Sequence, residues 1–421
     1  MILILMGILV ITFLLNIPMF IGMIVAPLVT MLVYFPNVSP VIAIQQLVAG
    51  ISPIVLLSVP MFILAADIMS VGQTSNRLLD FVDTFVGHIH GGMAITTAAT
   101  CTLFGSISGS TQATVVAIGK PMRNRLGDIG YKDEDTIALI ISSSIIALLI
   151  PPSISMIMYA VVTGTSVGDL FIAGVIPGLL ILLVFAIYSY FKAKKDNIPR
   201  TDRLNMKERF RAFKKAIAPL GFPIIIFVGI YSGFFSPTEA AAVSVLYAFI
   251  LEVFVFKSIE IKEIKDITLS TAVVTTAVFV LVGAGALLSW VISYARLPQQ
   301  ITETVLGTNP SAIKVLITVT IFFYIAGMFV DSLVAIVILT PIFFPAAMQA
   351  GIDPIHLGII ITLQAAIASI SPPFGCNIFT ASAVFDLPYM KVVRKLPVYL
   401  GLLVIITVLI IAFPQLSLIM L

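Results

Sequence analysis

The chain has 421 residues, 60% of them hydrophobic and only 10% charged, with a formal net charge of +3 and a mean hydropathy of +1.16. A water-soluble domain carries roughly 25% charged residues, so this chain cannot cover itself with a hydrated surface. Its two cysteines, Cys101 and Cys376, lie far apart inside apolar stretches, which excludes a disulfide framework and a cysteine-based zinc site.

Apolar runs near the ~20 residues that cross a bilayer core recur from one end to the other. The opening MILILMGILVITFLLN lacks the charged n-region and small-residue cleavage site of a signal peptide, and is expected to be a first span. Taken between their Pro, Gly and polar breaks, the runs predict about ten crossings. They lie near 1–16, 18–35, 52–70, 136–163, 168–191, 216–235, 237–256, 267–296, 356–386 and 397–414. Stretches 91–119 and 310–345 are interrupted at their middles by Gly, Ser, Asp or Pro, and are expected to be re-entrant hairpins. A polar arm precedes each, at about 71–90 and 297–309. The predicted fold class is therefore an all-α polytopic membrane protein. The acidic run Asp133–Asp135 is expected to cap a helix starting at Thr136. Ser236 or Thr238 is expected to cap the helix after Pro237, with Glu239 favouring its dipole.

Basic residues orient these spans. If the loops after the first hairpin, at 192–215, at 257–265 and at 391–395 are cytoplasmic with Arg77, 21 of the 23 Lys and Arg lie inside, leaving Arg296 and Lys314 outside. That satisfies the positive-inside rule and places both chain ends outside. The basic 192–215 loop is accounted for by orientation alone, so no nucleic-acid partner is expected; the partner is the lipid bilayer.

Pro-Pro occurs twice, at Pro151-Pro152 and Pro372-Pro373, 221 residues apart and each in the middle of a hydrophobic run. Ser110, Ala113 and Val115 recur as Ser332, Ala335 and Val337 at an offset of 222. Each half contains a span, a polar arm, a broken hairpin, a Pro-Pro-broken span and a span opening near a Pro. An odd number of crossings separates the copies, which predicts an inverted-topology repeat, a feature of secondary transporters whose broken helices mark the binding site. The expected organisation is N-terminal scaffold spans at 1–50, a first repeat at 51–191, the basic loop at 192–215, further scaffold spans at 216–266 and a second repeat at 267–421.

A Pro pair inside a span removes two backbone donors and frees carbonyls one turn earlier. At membrane depth such groups must be buried in protein or face a cavity. The breaks SSSIIALLI-PPSIS and AAIASI-SPPFGCN are rich in hydroxyls, Gly and short polar side chains. Carbonyls at a half-helix end with Ser or Thr oxygens suit a hard, weakly charged cation such as Na⁺. The first hairpin tip, GSISGSTQAT, crowds Gly105, Ser106, Ser108, Gly109, Ser110 and Thr111 together. The second, GMFVDSLVAIV, places Asp331 and Ser332 at the equivalent point. An acid at membrane depth marks a functional site by default, although Asp331 could also serve as a helix N-cap, and the Ser/Gly tip could serve close helix packing. No nucleophile–base pair, paired acids, metal cluster or nucleotide-binding loop is legible, so an enzyme is not expected.

At these residues the chain resembles the large membrane subunit of the TRAP (tripartite ATP-independent periplasmic) transporters, within the wider ion-transporter superfamily. The stretches that carry the likeness are LFGSISGSTQATVVAIG, IPPSISMIMYAVVTGTSVGDLFIAGVIPGLL, SGFFSPTEAAAVSVLYA, GMFVDSLVAIVILTPIFFP and SPPFGCNIFTASAV, spread over almost the whole chain. The resemblance implies an elevator-type, sodium-driven importer of organic acids such as C4-dicarboxylates, sialic acid or other sugar acids, in the bacterial inner membrane. It implies a separate small four-helix membrane subunit and a periplasmic substrate-binding protein as partners. It also implies two or more Na⁺ ions as coupling ions, held by Ser106, Ser108, Ser110, Pro151 and Ser153 in the first set and by Asp331, Ser371 and Gly375 in the second. The substrate would meet Ser110, Thr111, Ser155, Asp331, Ser332 and Asn377. The nearest alternative is a sodium–dicarboxylate symporter that needs no binding protein.

Overall fold

The computed structural model describes residues 1–201, 205–307 and 310–421, and is all-helical among them. The helices Ile2–Leu14, Met19–Tyr34 and Val41–Ile51 come first, followed by a 3₁₀ turn, Ile54–Leu57, that runs into Ser58–Val71. The arm helix Thr74–Val86 leads to the first hairpin, Gly92–Ser108 and Thr111–Ile129. The first broken helix is Asp133–Ser144, a 3₁₀ turn Ile145–Leu148, and Ile154–Thr163; the long helix Val167–Lys195 closes this half. The second half begins with Met206–Tyr231 and Pro237–Phe249, the latter continuing as a π-helical turn Ile250–Val255, and then the long helix Ile261–Tyr294. Its arm is Leu297–Val305, its hairpin Ala312–Phe329 and Ser332–Gln349, and its broken helix Pro354–Ala368 and Cys376–Phe385. Tyr389–Val393, Leu396–Ala412 and the turn Gln415–Leu418 finish the chain.

Helix starts follow short polar side chains. Ser110, Ser153, Ser166 and Ser311 each accept from the backbone N–H three residues on, satisfying a donor that the first turn leaves free. Ser236 and Glu239 form a reciprocal capping box with Pro237 in the first turn.

Three sequence expectations shift. The helix Val41–Ile51 was not foreseen; Pro40 and Pro53 bracket it and kept it too short to register as a span. The second arm of the first hairpin runs on to Ile129, beyond the expected 119, because Lys120–Asp128 continues the helix outside the apolar core. The basic 192–215 loop is mostly helix, its ends being the last turn of Val167–Lys195 and the first turns of Met206–Tyr231. Residues 202–204 of that loop and 308–309 of the second arm region lie outside the described residues.

Packing ties the two halves together by exchange. The first arm of each hairpin packs on the first half of its own broken helix, Gly92–Ser108 on Asp133–Ser144 and Ala312–Phe329 on Pro354–Ala368. The second arm packs both on its own half's broken helix and on the other half's, Thr111–Ile129 on Asp133–Ser144 and Cys376–Phe385, and Ser332–Gln349 on Pro354–Ala368 and Ile154–Thr163. The outer helices do the same, with Met19–Tyr34 on Ile261–Tyr294 and Pro237–Phe249 on Ser58–Val71. Two equivalent glycines allow the close approaches. A Cβ on Gly105 would lie 2.7 Å from Ala147, and one on Gly327 2.6 Å from Ala368.

Seven helices among the described residues are long and apolar enough to cross a membrane, including both arms of the second hairpin, Ala312–Phe329 and Ser332–Gln349. At 18 residues each, those arms are about 27 Å long. Of the other expected spans, 136–163 and 356–386 are split by the Pro-Pro breaks, while Ile2–Leu14, Met19–Tyr34 and Leu396–Ala412 are unbroken but shorter apolar helices.

The Asp133–Asp135 run does not cap a helix at Thr136. The helix begins at Asp133 itself, with Lys132 at the N-cap, and the three acids tie down three other elements. Arg123 of the first hairpin donates from Nε and Nη2 to Asp133 at 2.6 and 2.8 Å, and from Nη1 to the Phe385 carbonyl at 3.0 Å. Glu134 accepts from Arg394 at 2.7 Å, and Asp135 faces Lys192 at 3.3 Å. Arg123 thus clamps the hairpin to the broken helices of both halves. Its bonds are charge-assisted and partly shielded, so Arg123→Ala is expected to lower stability by about 1–3 kcal/mol. Arg125→Ala, which loses only an exposed pair with Asp80, should change it by less than about 1 kcal/mol. Thermal unfolding of the detergent-solubilised variants compares the two directly.

Candidate functional site

The tip of the first hairpin is built by Gly109. Its φ is +57°, in the left-handed region, and its Cα faces the carbonyl of Pro152 so closely that a Cβ would collide with it. Only glycine meets both demands. The tip therefore sits directly on the first proline break. Ser108 Oγ lies 3.1 Å from Thr114 Oγ1 and donates to the Ser110 carbonyl at 3.3 Å, while Ser110 Oγ caps the second arm by accepting from Ala113 N at 3.3 Å. Ser106 Oγ turns back on the Leu103 carbonyl at 2.6 Å. Ser153 caps the resumed helix at Met156 N, 3.3 Å away. Ser142, Ser143 and Ser155 bury hydroxyls that meet no partner among the described residues.

The second break reaches across to that tip through Asn377. Its Oδ1 accepts from Thr111 Oγ1 at 2.9 Å, its Nδ2 donates to Ser144 Oγ at 3.2 Å, and its backbone N–H donates to the Ser369 carbonyl at 2.9 Å. Ser144 in turn donates to the Ile141 carbonyl at 2.7 Å. One fully buried amide thereby joins the first hairpin, the first broken helix and both halves of the second. Gly375 is held as tightly, since a Cβ there would lie 2.6 Å from the Ser369 carbonyl. Ser371 Oγ donates to the Ile367 carbonyl at 2.8 Å.

The second hairpin tip is tied to its own broken helix by Ser332 Oγ, which donates to the Ala365 carbonyl at 3.0 Å. Asp331 is the N-cap, accepting from Leu333 N at 2.9 Å, and the rest of its carboxylate is open; it makes no direct bond to Ser371 or Gly375. Cys376 lies beside the Gln112 side chain, so the first hairpin also reaches the second break here.

Of the residues singled out in the sequence, Thr111 and Asn377 meet directly, and Ser108 and Ser110 meet within one tip that rests against the Pro151–Ser153 break. Ser332 meets the second broken helix. Asp331 makes no hydrogen bond to the other singled-out side chains among the described residues. The two assemblies also differ in exposure: Ser153, Ser155 and the Pro151-Pro152 pair are buried, whereas Pro373 and Phe374 are exposed. Ser144, Thr114 and Gln112 were not singled out. The triple serine at 142–144 was the available signal for Ser144, but only tertiary contact shows which hydroxyl meets Asn377.

The sequence matches the family model described as "Tripartite ATP-independent periplasmic transporter, DctM component" over residues 6–416. The chain belongs to this family. It is 51% identical over 406 residues to the ectoine TRAP transporter large permease protein TeaC of Halomonas elongata, covering 96% of this chain and 95% of that protein. It is also 51% identical over 406 residues to the ectoine/5-hydroxyectoine TRAP transporter large permease protein UehC of Ruegeria pomeroyi, with the same coverage of 96% and 95%. Among solved structures, the YdaH transporter of Alcanivorax borkumensis superposes with a TM-score of 0.64 at 13% identity, covering 89% of this chain and 87% of that one. This TRAP large permease is accordingly a multi-pass membrane transporter, not an enzyme, and its family works with a small subunit and a periplasmic binding protein.

Asn377→Ala leaves Thr111 and Ser144 without their shared partner in a buried site. The expected loss is about 1–3 kcal/mol, read as a lowered melting temperature, together with a fall in transport. Asn377→Asp keeps the acceptor for Thr111 and should retain more of both than the alanine variant does.

Proposed function

We propose that this permease imports small carboxylate-bearing solutes across the bacterial inner membrane, driven by a Na⁺ gradient and supplied by a periplasmic binding protein. The observation that carries the proposal is the buried junction at Asn377, where two helix breaks and a hairpin tip gather hydroxyls and backbone oxygens. Hard cations are bound by such oxygens, and Ser142, Ser143 and Ser155 offer unpaired ones beside the first break. Asp331, with its free carboxylate face, supplies charge at the second. The hairpins and broken helices form one interlocked body, which moves as an elevator against the outer helices, and the copies lie in opposite orientation in the bilayer. In that orientation both chain ends are periplasmic.

The similarity to TeaC and UehC supports ectoine-type compatible solutes as the substrate class. Ectoine is a cyclic amidine carboxylate that carries its own positive charge. The tips and breaks hold Asp331 and no Lys, Arg or His, a charge inventory that favours a zwitterion over a dianion. The expected result in proteoliposomes is ectoine uptake requiring both an inward Na⁺ gradient and the cognate binding protein, with succinate as a poor substrate. Ser110→Ala and Asp331→Asn should each slow that uptake roughly tenfold or more, the effect of losing about 1.4 kcal/mol of differential binding. Normal rates in both variants would refute the assigned sites. Uptake without any binding protein would favour the free-standing symporter instead.

A further inference from the structure

Glu252 has no place in that site, yet it is the most deeply buried carboxylate among the described residues, with no exposed surface. It lies in the π-helical turn Ile250–Val255 that ends the outer helix beginning at Pro237. An ionisable side chain in such a span needs a named partner, and Glu252 has three. Its Oε1 accepts from Thr74 Oγ1 at 2.6 Å, and its Oε2 accepts from the Gln73 backbone N–H at 3.1 Å and from Ser258 Oγ at 2.5 Å. Two of these donors begin the arm helix Thr74–Val86, whose first-turn N–H groups and dipole favour an anion. That helix is thus capped by a residue 178 positions away in sequence.

The surrounding chain is shaped for this bond. At Gly72 a Cβ would collide with the carboxylate, so the link between Ser58–Val71 and the arm must pass as bare backbone. After the π turn the chain folds back, Ser258 N–H donating to the Glu252 carbonyl at 2.9 Å. Arg77, one turn into the arm, lays its guanidinium over the Phe256 ring at 3.6 Å. The other half differs. At the offset of 221, Glu252 corresponds to Met31, and the second arm starts at Leu297 after the exposed Arg296. Among the described residues, only the first arm has this buried anionic tie.

We propose that Glu252 is a fixed pivot: a positioning residue that keeps the start of the first arm fastened to the outer helices throughout transport, while the far end of the arm carries the first hairpin. The inference rests on the elevator reading above, so the experiment separates the two. One variant pair, Gln73→Cys with Ser258→Cys, is joined by a short thiol-reactive linker; both residues bond the same oxygen of Glu252, and Gln73 is exposed. A second pair, Gly285→Cys with Val337→Cys, bridges the outer helix Ile261–Tyr294 to the second hairpin. A Cβ at 285 would lie 3.2 Å from that of Val337, close to disulfide spacing. Each pair is compared before and after linking, for ectoine uptake with the binding protein present.

The pivot predicts that the first link leaves more than half of the uptake and that the second abolishes it. Loss of uptake on the first link overturns the pivot, because the contact must then break in each cycle. Retained uptake on the second link overturns the elevator reading whatever the first link does. Glu252→Gln gives an independent measure. It should lower the maximal rate about tenfold while the KM values for substrate and Na⁺ stay unchanged, since the group touches neither. A wild-type rate, or a change confined to KM, would remove Glu252 from this role.

Discussion

A helix interrupted inside an apolar medium leaves backbone groups that no solvent can satisfy, and the organisation of this permease follows from how they are answered. The Pro152 carbonyl lies against the glycine tip of the first hairpin. The Ser369 carbonyl is met by the Asn377 backbone, and the Pro373 carbonyl by the hydroxyl of Tyr389 at 2.9 Å. Because each answer comes from a different element, the breaks cannot be moved one at a time. Hairpins and broken helices behave as one body for a reason of hydrogen bonding as much as of apolar contact.

The exchanged packing strengthens that unity. A hairpin arm that buries its face on the opposite half's broken helix has no complete partner within its own half, so neither half forms this core alone. At the polar end the same logic recurs in charge, where Arg123 spans Asp133 and the Phe385 carbonyl, and Arg394 reaches Glu134. Close approach at Gly105 and Gly327 lets main chains pack where larger side chains would hold them apart. Such interlocking suits the elevator movement proposed above.

Chemistry is concentrated where that body is least apolar. The Asn377 junction, the unpaired serine hydroxyls and the open carboxylate of Asp331 are oxygen-rich and nearly free of charge. Such a place discriminates by coordination and shape rather than by strong ion pairing. The first break is buried, whereas Pro373 and Phe374 of the second are exposed, so the two proline breaks are not interchangeable. Glu252 adds a further asymmetry, since among the described residues a buried carboxylate holds the first arm and not the second.

Much of this was legible in the chain itself. Composition dictated a membrane protein, because a tenth of the residues being charged cannot hydrate a surface. The paired Pro-Pro motifs marked two helix interruptions, and the Gly/Ser cluster at 105–111 and the Asp331-Ser332 pair marked two more, since those residues act locally on the backbone. Other features depended on contacts between distant segments. Asn377 bonds a threonine 266 positions away, and Glu252 caps a helix 178 positions away. The acids at 133–135 looked like a local cap and proved to be a clamp. Local sequence decides where a chain can bend or start a helix. Which distant donor finds which acceptor is decided only when the helices pack, because in an apolar interior each polar group must take the partner that the fold brings to it.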